Sequence, residues 1–116
     1  MLKLSSSFIG IDSGERTLFD HFVEETPMWA GDGRREAVAE ITFSERFLKP
    51  PAITVSVAMI DCDKATNLRL DIHARNVTET GASLVAVTWD DTRIARLRLH
   101  WQAIGPLTDP DDYWDV

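Results

Sequence analysis

Apolar and polar residues alternate with a period of two along most of the chain after residue 40. Ile53, Val55, Val57 and Met59 fall on one side and Thr54, Ser56 and Ala58 on the other, the pattern of a half-buried strand. Leu68, Leu70, Ile72 and Ala74 are expected to face inward, with Arg69, Asp71, His73 and Arg75 outward. Ala95, Leu97, Leu99, Trp101 and Ala103 form a third inward set, opposite Arg96, Arg98, His100 and Gln102. Ile41 and Phe43 start another strand, with Thr42 opposite. The stretch Ser83 to Trp89 breaks the alternation, because Leu84, Val85, Ala86 and Val87 are all apolar. Such a strand is covered on both faces, either as a central strand or against another subunit.

Turn chemistry separates these runs. Pro50-Pro51 ends one connection, since proline cannot donate to a ladder. Asp61-Cys62-Asp63-Lys64 and Glu79-Thr80-Gly81 read as polar turns, and Asp90-Asp91-Thr92 as a short hairpin loop. No run with helical period exceeds two turns. Several short strands punctuated in this way predict an all-β fold, an antiparallel β-sandwich. Residues 20–36 read as a long loop rich in acids, Gly and Pro, and long loops in compact domains are often functional. Pro106 to Val116 reads as an acidic tail, with Asp109, Asp111, Asp112 and Asp115 around Tyr113 and Trp114.

Composition narrows the function classes. The 116 residues hold 12 basic and 19 acidic side chains, a net charge of −7. That charge repels a phosphate backbone, so no nucleic-acid partner is expected. No apolar stretch is long enough to cross a membrane. The first residues lack the unbroken apolar core of a secretory signal, which predicts a protein that is cytoplasmic, or released or exported by a non-classical route. The single Cys62 excludes an internal disulfide, so the fold rests on its core.

The segments ITFSERFLKPPAITVSVAMIDCD, NLRLDIHARNVTETG and VTWDDTRIARLRLHWQAIG resemble the H-type lectin family. The matching elements are Phe43, Phe47, Pro50-Pro51, Asn67-Leu68-Arg69, Asn76-Val77-Thr78, Gly81, Thr88-Trp89, Trp101, Ala103 and Gly105, without a gap from Ile41 to Gly105. The resemblance implies a six-stranded antiparallel β-sandwich that assembles as a homotrimer, or as two trimers in a hexamer. It implies binding of galactose-type sugars, often N-acetylgalactosamine, in clefts between subunits, with no catalytic group and no cofactor. On this reading residues 1–38 complete the domain with a strand and the long loop, 39–105 form its core, and 106–116 are the tail. The family's sugar contacts fall on Asp32, Arg69, Trp89 and Asp90. Two departures accompany them. The residue after the tryptophan, a histidine in the best-known family member, is Asp90 here, and a glycine before the loop aspartate is Ala30. The sugar preference is therefore expected to differ. The missing cysteines of the snail members suit a bacterial or intracellular origin.

Each candidate also has a plainer reading. Arg69 offers a planar fork for two adjacent hydroxyls, but a surface arginine commonly pairs with an acid. Trp89 can pack on the apolar face of a sugar ring or fill an interface. Asp32 can accept sugar hydroxyls or serve its Gly-Asp-Gly turn. Asp90 and Asp91 are a carboxylate pair, yet neighbours at a strand end are expected to point apart, whereas a glycosidase needs two facing carboxyls about 5–9 Å apart. An enzyme is therefore not expected. His73 and His100 face outward and could meet across strands, but two histidines without a third ligand do not make a zinc site. Asp61-Cys62-Asp63 lacks the glycine and terminal glutamate of a calcium loop. Asn76-Val77-Thr78 reads as a strand-end turn, and Arg93, Arg96, Arg98 and His100 as a solvated basic face or one that meets a neighbour's acids. The alternative to a lectin is a structural or adhesion module of a phage-like particle or cell-surface assembly, with the same fold and altered or lost sugar binding.

Overall fold

The computed structural model describes residues 1–5 and 8–109. Six strands run in the order β1 (Ile9–Asp20), β2 (Arg35–Thr42), β3 (Ala52–Cys62), β4 (Asp71–Arg75), β5 (Gly81–Thr88) and β6 (Ile94–Pro106), with a one-turn helix α1 (Pro27–Ala30) between the first two. They form two three-stranded antiparallel sheets, β1-β6-β3 and β2-β5-β4. β5 and β6 are thus the two central strands, and both carry the longest buried runs. The expectation of a covered strand at 83–89 is met from Ser83 to Thr88 by its central place in the sheet, while Trp89 lies beyond the strand and is exposed. Val85 faces away from the core, between Val38 and His73 on the flanking strands, and is still fully buried.

The core lies between the sheets. Leu97, Leu99, Trp101 and Ala103 of β6 face Ala82, Leu84 and Ala86 of β5, closed at one end by Phe43 and Phe47. Phe43 lies edge-on to Phe47 at 5.2 Å and tilted against Trp101 at 5.9 Å, separations at which ring edges and faces attract. Gly81 is dictated by packing, because a Cβ there would sit 2.3 Å from the Ile41 carbonyl oxygen.

Four local expectations need correction. The strand begun at Ile41 in the sequence reading instead ends at Thr42, and it starts at Arg35 inside the segment read as a loop. Met59 does not join the inward set. β3 bulges between Val57 and Met59, so Met59 pairs with outward Arg98 while Ile60 pairs with buried Leu97 and packs on the core. β1 bulges at the same level, between Thr17 and Phe19. Leu68 is half exposed rather than inward, because the chain is a strand only from Asp71. The turn after β3 starts at Asp63, whose carboxylate accepts from the Ala65 amide at 2.9 Å, while Asp61 and Cys62 still belong to the strand.

The basic stripe on β6 is neutralised within the chain. Arg96 Nη2 lies 3.1 Å from Asp61 and its guanidinium 5.2 Å over Phe22. Arg98 Nε lies 3.3 Å from Glu15, an ion pair too poorly aligned to be a hydrogen bond. His73 and His100 do not meet, since they point outward from opposite sheets. Asn76 to Gly81 is a strand-end turn in which Thr78 Oγ1 accepts from the Thr80 and Gly81 amides, each at 3.2 Å. No helix among the described residues is long and apolar enough to cross a membrane, and no cluster of three or more His, Cys, Asp or Glu side chains there could hold a metal ion. The tail reading at 110–116 lies outside the described residues.

Candidate functional site

Three segments meet where β5 ends. The first is the turn that carries Trp89, Asp90, Asp91 and Thr92 from β5 into β6. The second is Asn67 to Leu70, leading into β4. The third is the 26–34 segment before β2.

The second segment is fastened by two buried hydroxyls. Thr88 Oγ1 donates to the Arg69 carbonyl at 2.6 Å, and Thr92 Oγ1 donates to the Asn67 carbonyl at 2.6 Å. Both threonines are fully buried, so these bonds form out of competition with water. The backbone of Arg69 is thereby fixed against the end of β5. Its side chain then turns to the 89–92 turn. Nη1 bonds Asp91 Oδ1 at 2.7 Å and Thr92 Oγ1 at 3.1 Å. Nη2 lies 3.9 Å from Asp90 Oδ2, beyond hydrogen-bond distance. One arm of the fork is therefore tied down and the other keeps donor capacity.

Asp90 has a left-handed backbone, φ 58°, and this reversal brings its carboxylate to the same guanidinium that Asp91 holds. The two carboxylates do not point apart, contrary to the expectation for neighbours at a strand end. They share one cation. Trp89, immediately before them, is 42% exposed, a large aromatic surface left open beside polar groups.

The third segment is organised from its own N-cap. Thr26 accepts from the Met28 amide at 2.9 Å, Pro27 starts the single turn, and Met28 is the buried anchor. The Thr26 amide donates to His21 Nδ1 at 3.1 Å, which assigns the imidazole proton to Nε2. Ala30 ends the turn. Asp32 follows, exposed, just before a bend at Gly33 and Arg34, and Gly33 takes φ 70°, the left-handed region that glycine enters without penalty. The Gly33 amide donates to the Asp90 carbonyl at 3.0 Å. The structure thus brings Asp32 onto the segment bonded to Asp90, and Asp90 beside Arg69.

Arg35 was not singled out by sequence reasoning, and it is the most heavily bonded side chain at the site. It is 6% exposed. Nε donates to the Gly33 carbonyl at 2.8 Å, Nη1 to Pro27, Met28 and Thr92 carbonyls at 3.3, 3.2 and 2.8 Å, and Nη2 to the Asp90 carbonyl at 2.9 Å. The signal was available. Arg35, Ala37, Ala39 and Ile41 share the inward parity of β2, so Arg35 is an inward arginine at a strand's first residue. Asp91, Thr88 and Thr92 were also passed over as site residues.

Among known proteins, the family model for the H-type lectin domain matches residues 38–104. A protein of Fuscovulum blasticum described as ATP synthase subunits region ORF 7 is 46% identical over 116 residues, covering 100% of this chain and 99% of that one. A discoidin-1 polypeptide of Dictyostelium discoideum is 34% identical over 74 residues, 63% of this chain but 29% of the discoidin. The structure of discoidin II of Dictyostelium discoideum superposes with a TM-score of 0.76 at 21% identity, covering 93% of this chain and 41% of that one. That likeness is one of fold, and the chain spans well under half of each discoidin.

Proposed function

The chain belongs to the H-type lectin domain family, whose domains bind carbohydrate without catalytic groups, and from that membership we propose that it is a lectin for galactose-type sugars, N-acetylgalactosamine among them. The pocket is built from Asp32, Arg69, Trp89 and Asp90. A neighbouring copy in a homotrimer, or in a hexamer of two trimers, completes the cleft.

The observation that carries this reading is the state of Arg69. Its Nη1 is held by Asp91 and Thr92, and its Nη2 is 3.9 Å from Asp90, next in sequence to half-exposed Trp89. A guanidinium fixed by one arm loses little further freedom when the other arm donates to a sugar hydroxyl. The Asp90 and Asp32 carboxylates accept hydroxyl protons, and bonds to charged groups contribute about 1.5–3 kcal/mol. The indole covers the carbon-bound hydrogens of the ring face at low entropy cost. Desolvation of the sugar hydroxyls offsets much of this, so a single site is weak, and several sites on one rigid assembly gain about 10²–10⁴ in avidity.

Glycan arrays and calorimetry on the wild type, Trp89→Ala and Arg69→Ala test the assignment. Loss of galactose-type binding in both variants is expected, and undiminished binding by either removes that residue from the site. One observation favours a second reading. Asp90 competes with sugar hydroxyls for Arg69, and it replaces the histidine of the best-known family member. A structural or adhesion module of a particle or cell-surface assembly would tolerate that competition. Silence of the wild type across a broad glycan panel, with co-purification in a larger particle, would favour it.

A further inference from the structure

We infer that Arg35 is the positioning residue of the site: a buried guanidinium that locks the Asp32 segment to the Asp90 turn and so sets the spacing of the two carboxylates. The inference rests on the sugar-binding reading above for its effect on affinity, although the lock itself is testable without any sugar.

Arg35 stands at the first residue of β2, between two segments that are distant in sequence. On one side it reaches the carbonyls of Pro27, Met28 and Gly33, on the other those of Asp90 and Thr92. These acceptors bracket Asp32 and include Asp90 itself. Besides the guanidinium, the two segments are linked by the Gly33 amide bond to Asp90 and, at their strand ends, by the pairing of Arg35 with Thr88. A buried cation is costly unless its donors are satisfied, and here the described partners are backbone carbonyls converging from both sides. Two of these carbonyls, of Pro27 and Asp90, also accept from the Gly31 and Gly33 amides, so the guanidinium adds to a backbone link already in place. The flat five-donor fork is needed for this. A lysine ammonium at the same place has three donors radiating from one point and cannot span both segments in one plane.

The consequence is selective. Arg35 pairs through its backbone with Thr88 at the end of the β2–β5 ladder, a rung that a lysine backbone keeps, and its side chain is not part of the core between the sheets. Loosening its fork frees the Asp32 segment and leaves the sandwich standing. A shift of the carboxylate by a fraction of an ångström to one ångström is enough to lose a productive hydrogen-bonding geometry.

Amide hydrogen exchange on the full chain reads the lock directly. In the wild type, the Gly33 amide, on a half-buried bend outside any strand or helix, is expected to be protected at least about a hundredfold over an open loop. Near-open exchange at Gly33 would overturn the inference without any variant. In Arg35→Lys, Gly33 exchange is expected to rise at least about tenfold while the Val85 amide in β5 stays within about twofold. No change at Gly33, or an equal rise at both, would overturn it. Calorimetry with N-acetylgalactosamine then reads the effect on the site. Arg35→Lys should weaken binding at least about tenfold, and the double variant with Asp32→Ala should be no weaker than the worse single variant. Additive losses would mean that Arg35 does not act through Asp32, and would overturn the positioning role. A wild type that binds no sugar on the panel removes the proposed function, while the exchange measurement still decides the lock.

Discussion

Asp90 holds its backbone at φ 58°, in the region where an L-residue other than glycine pays for a Cβ close to its own carbonyl. Aspartate tolerates this better than most residues, but glycine tolerates it best. The carbonyl of Asp90 accepts from the Gly33 amide and from Arg35, and neither bond involves its carboxylate. The carboxylate is 68% exposed and 3.9 Å from Arg69, an ion pair of the kind worth about 0–1 kcal/mol. Asp90→Gly therefore trades a small loss of pairing and a larger unfolded-state entropy against relief at φ. The expected melting temperature lies within about 4 °C of the wild type. Sugar binding should fall by contrast, because the carboxylate is an acceptor in the proposed pocket. Calorimetry and a thermal melt on one preparation check both, and a stable variant with unchanged affinity would remove Asp90 from the pocket. At this scale the sequence was legible where a side chain announces its chemistry, as Trp89 and Arg69 do beside a polar turn. At Arg35 it left one faint signal, the parity shared with Ala37, Ala39 and Ile41, because its partners are carbonyls and have no side-chain signature.

The strands supply the frame on which these side chains stand, and β5 supplies most of it. Its last residue, Thr88, and Thr92 beyond the turn each donate to a carbonyl of the 67–70 segment while fully buried. Replacing either hydroxyl by an isosteric methyl removes a bond made by a buried donor, at about 1–3 kcal/mol, with Thr92→Val at the lower end because Arg69 Nη1 also reaches the Asn67 carbonyl at 3.4 Å. Thr88→Val and Thr92→Val are thus expected to lose stability by that amount in chemical denaturation and also to weaken sugar binding, because the segment they hold carries Arg69. Leu84→Ala, in the core of the same strand, should cost more, about 2–5 kcal/mol, and leave affinity nearly unchanged in the folded fraction. The reverse ranking of affinity losses would show that the hydroxyls do not position the site. Period-two alternation made β3 and β6 readable, and the unbroken apolar run from Leu84 to Val87 marked β5, since each buries one face or both. It could not show the bulges opposite Arg98, because one extra residue preserves composition while reversing parity, and Met59 was misplaced for that reason. The start of β2 was hidden by charge: Arg34, Arg35 and Glu36 look like loop, yet Arg35 and Glu36 pair with Thr88 and Val87 and open the strand.

Across the whole molecule, the proposed cleft needs a second chain, and the chain's charge opposes one. Every copy carries −7, so association at low ionic strength works against mutual repulsion. Among the described residues, the basic side chains Arg69, Arg75, Arg96 and Arg98 are already paired with acids of their own chain. They have little charge left to offer a neighbour. Apolar surface remains available close to the site, at Trp89 and Leu68, and on the β2-β5-β4 face at Val38. An assembly driven by such surface and opposed by net charge becomes tighter as salt screens the repulsion, since the Debye length is about 10 Å at 0.1 M and about 3 Å at 1 M. Light scattering over a dilution series should find a species about three or six times the 13.1 kDa of one chain, whose dissociation constant falls between low and high salt. A dissociation constant that rises with salt would mean that copies meet through charge pairs instead. A mass fixed at one chain under all conditions, with sugar binding intact, would show that a single copy forms the pocket unaided and would end the intersubunit cleft.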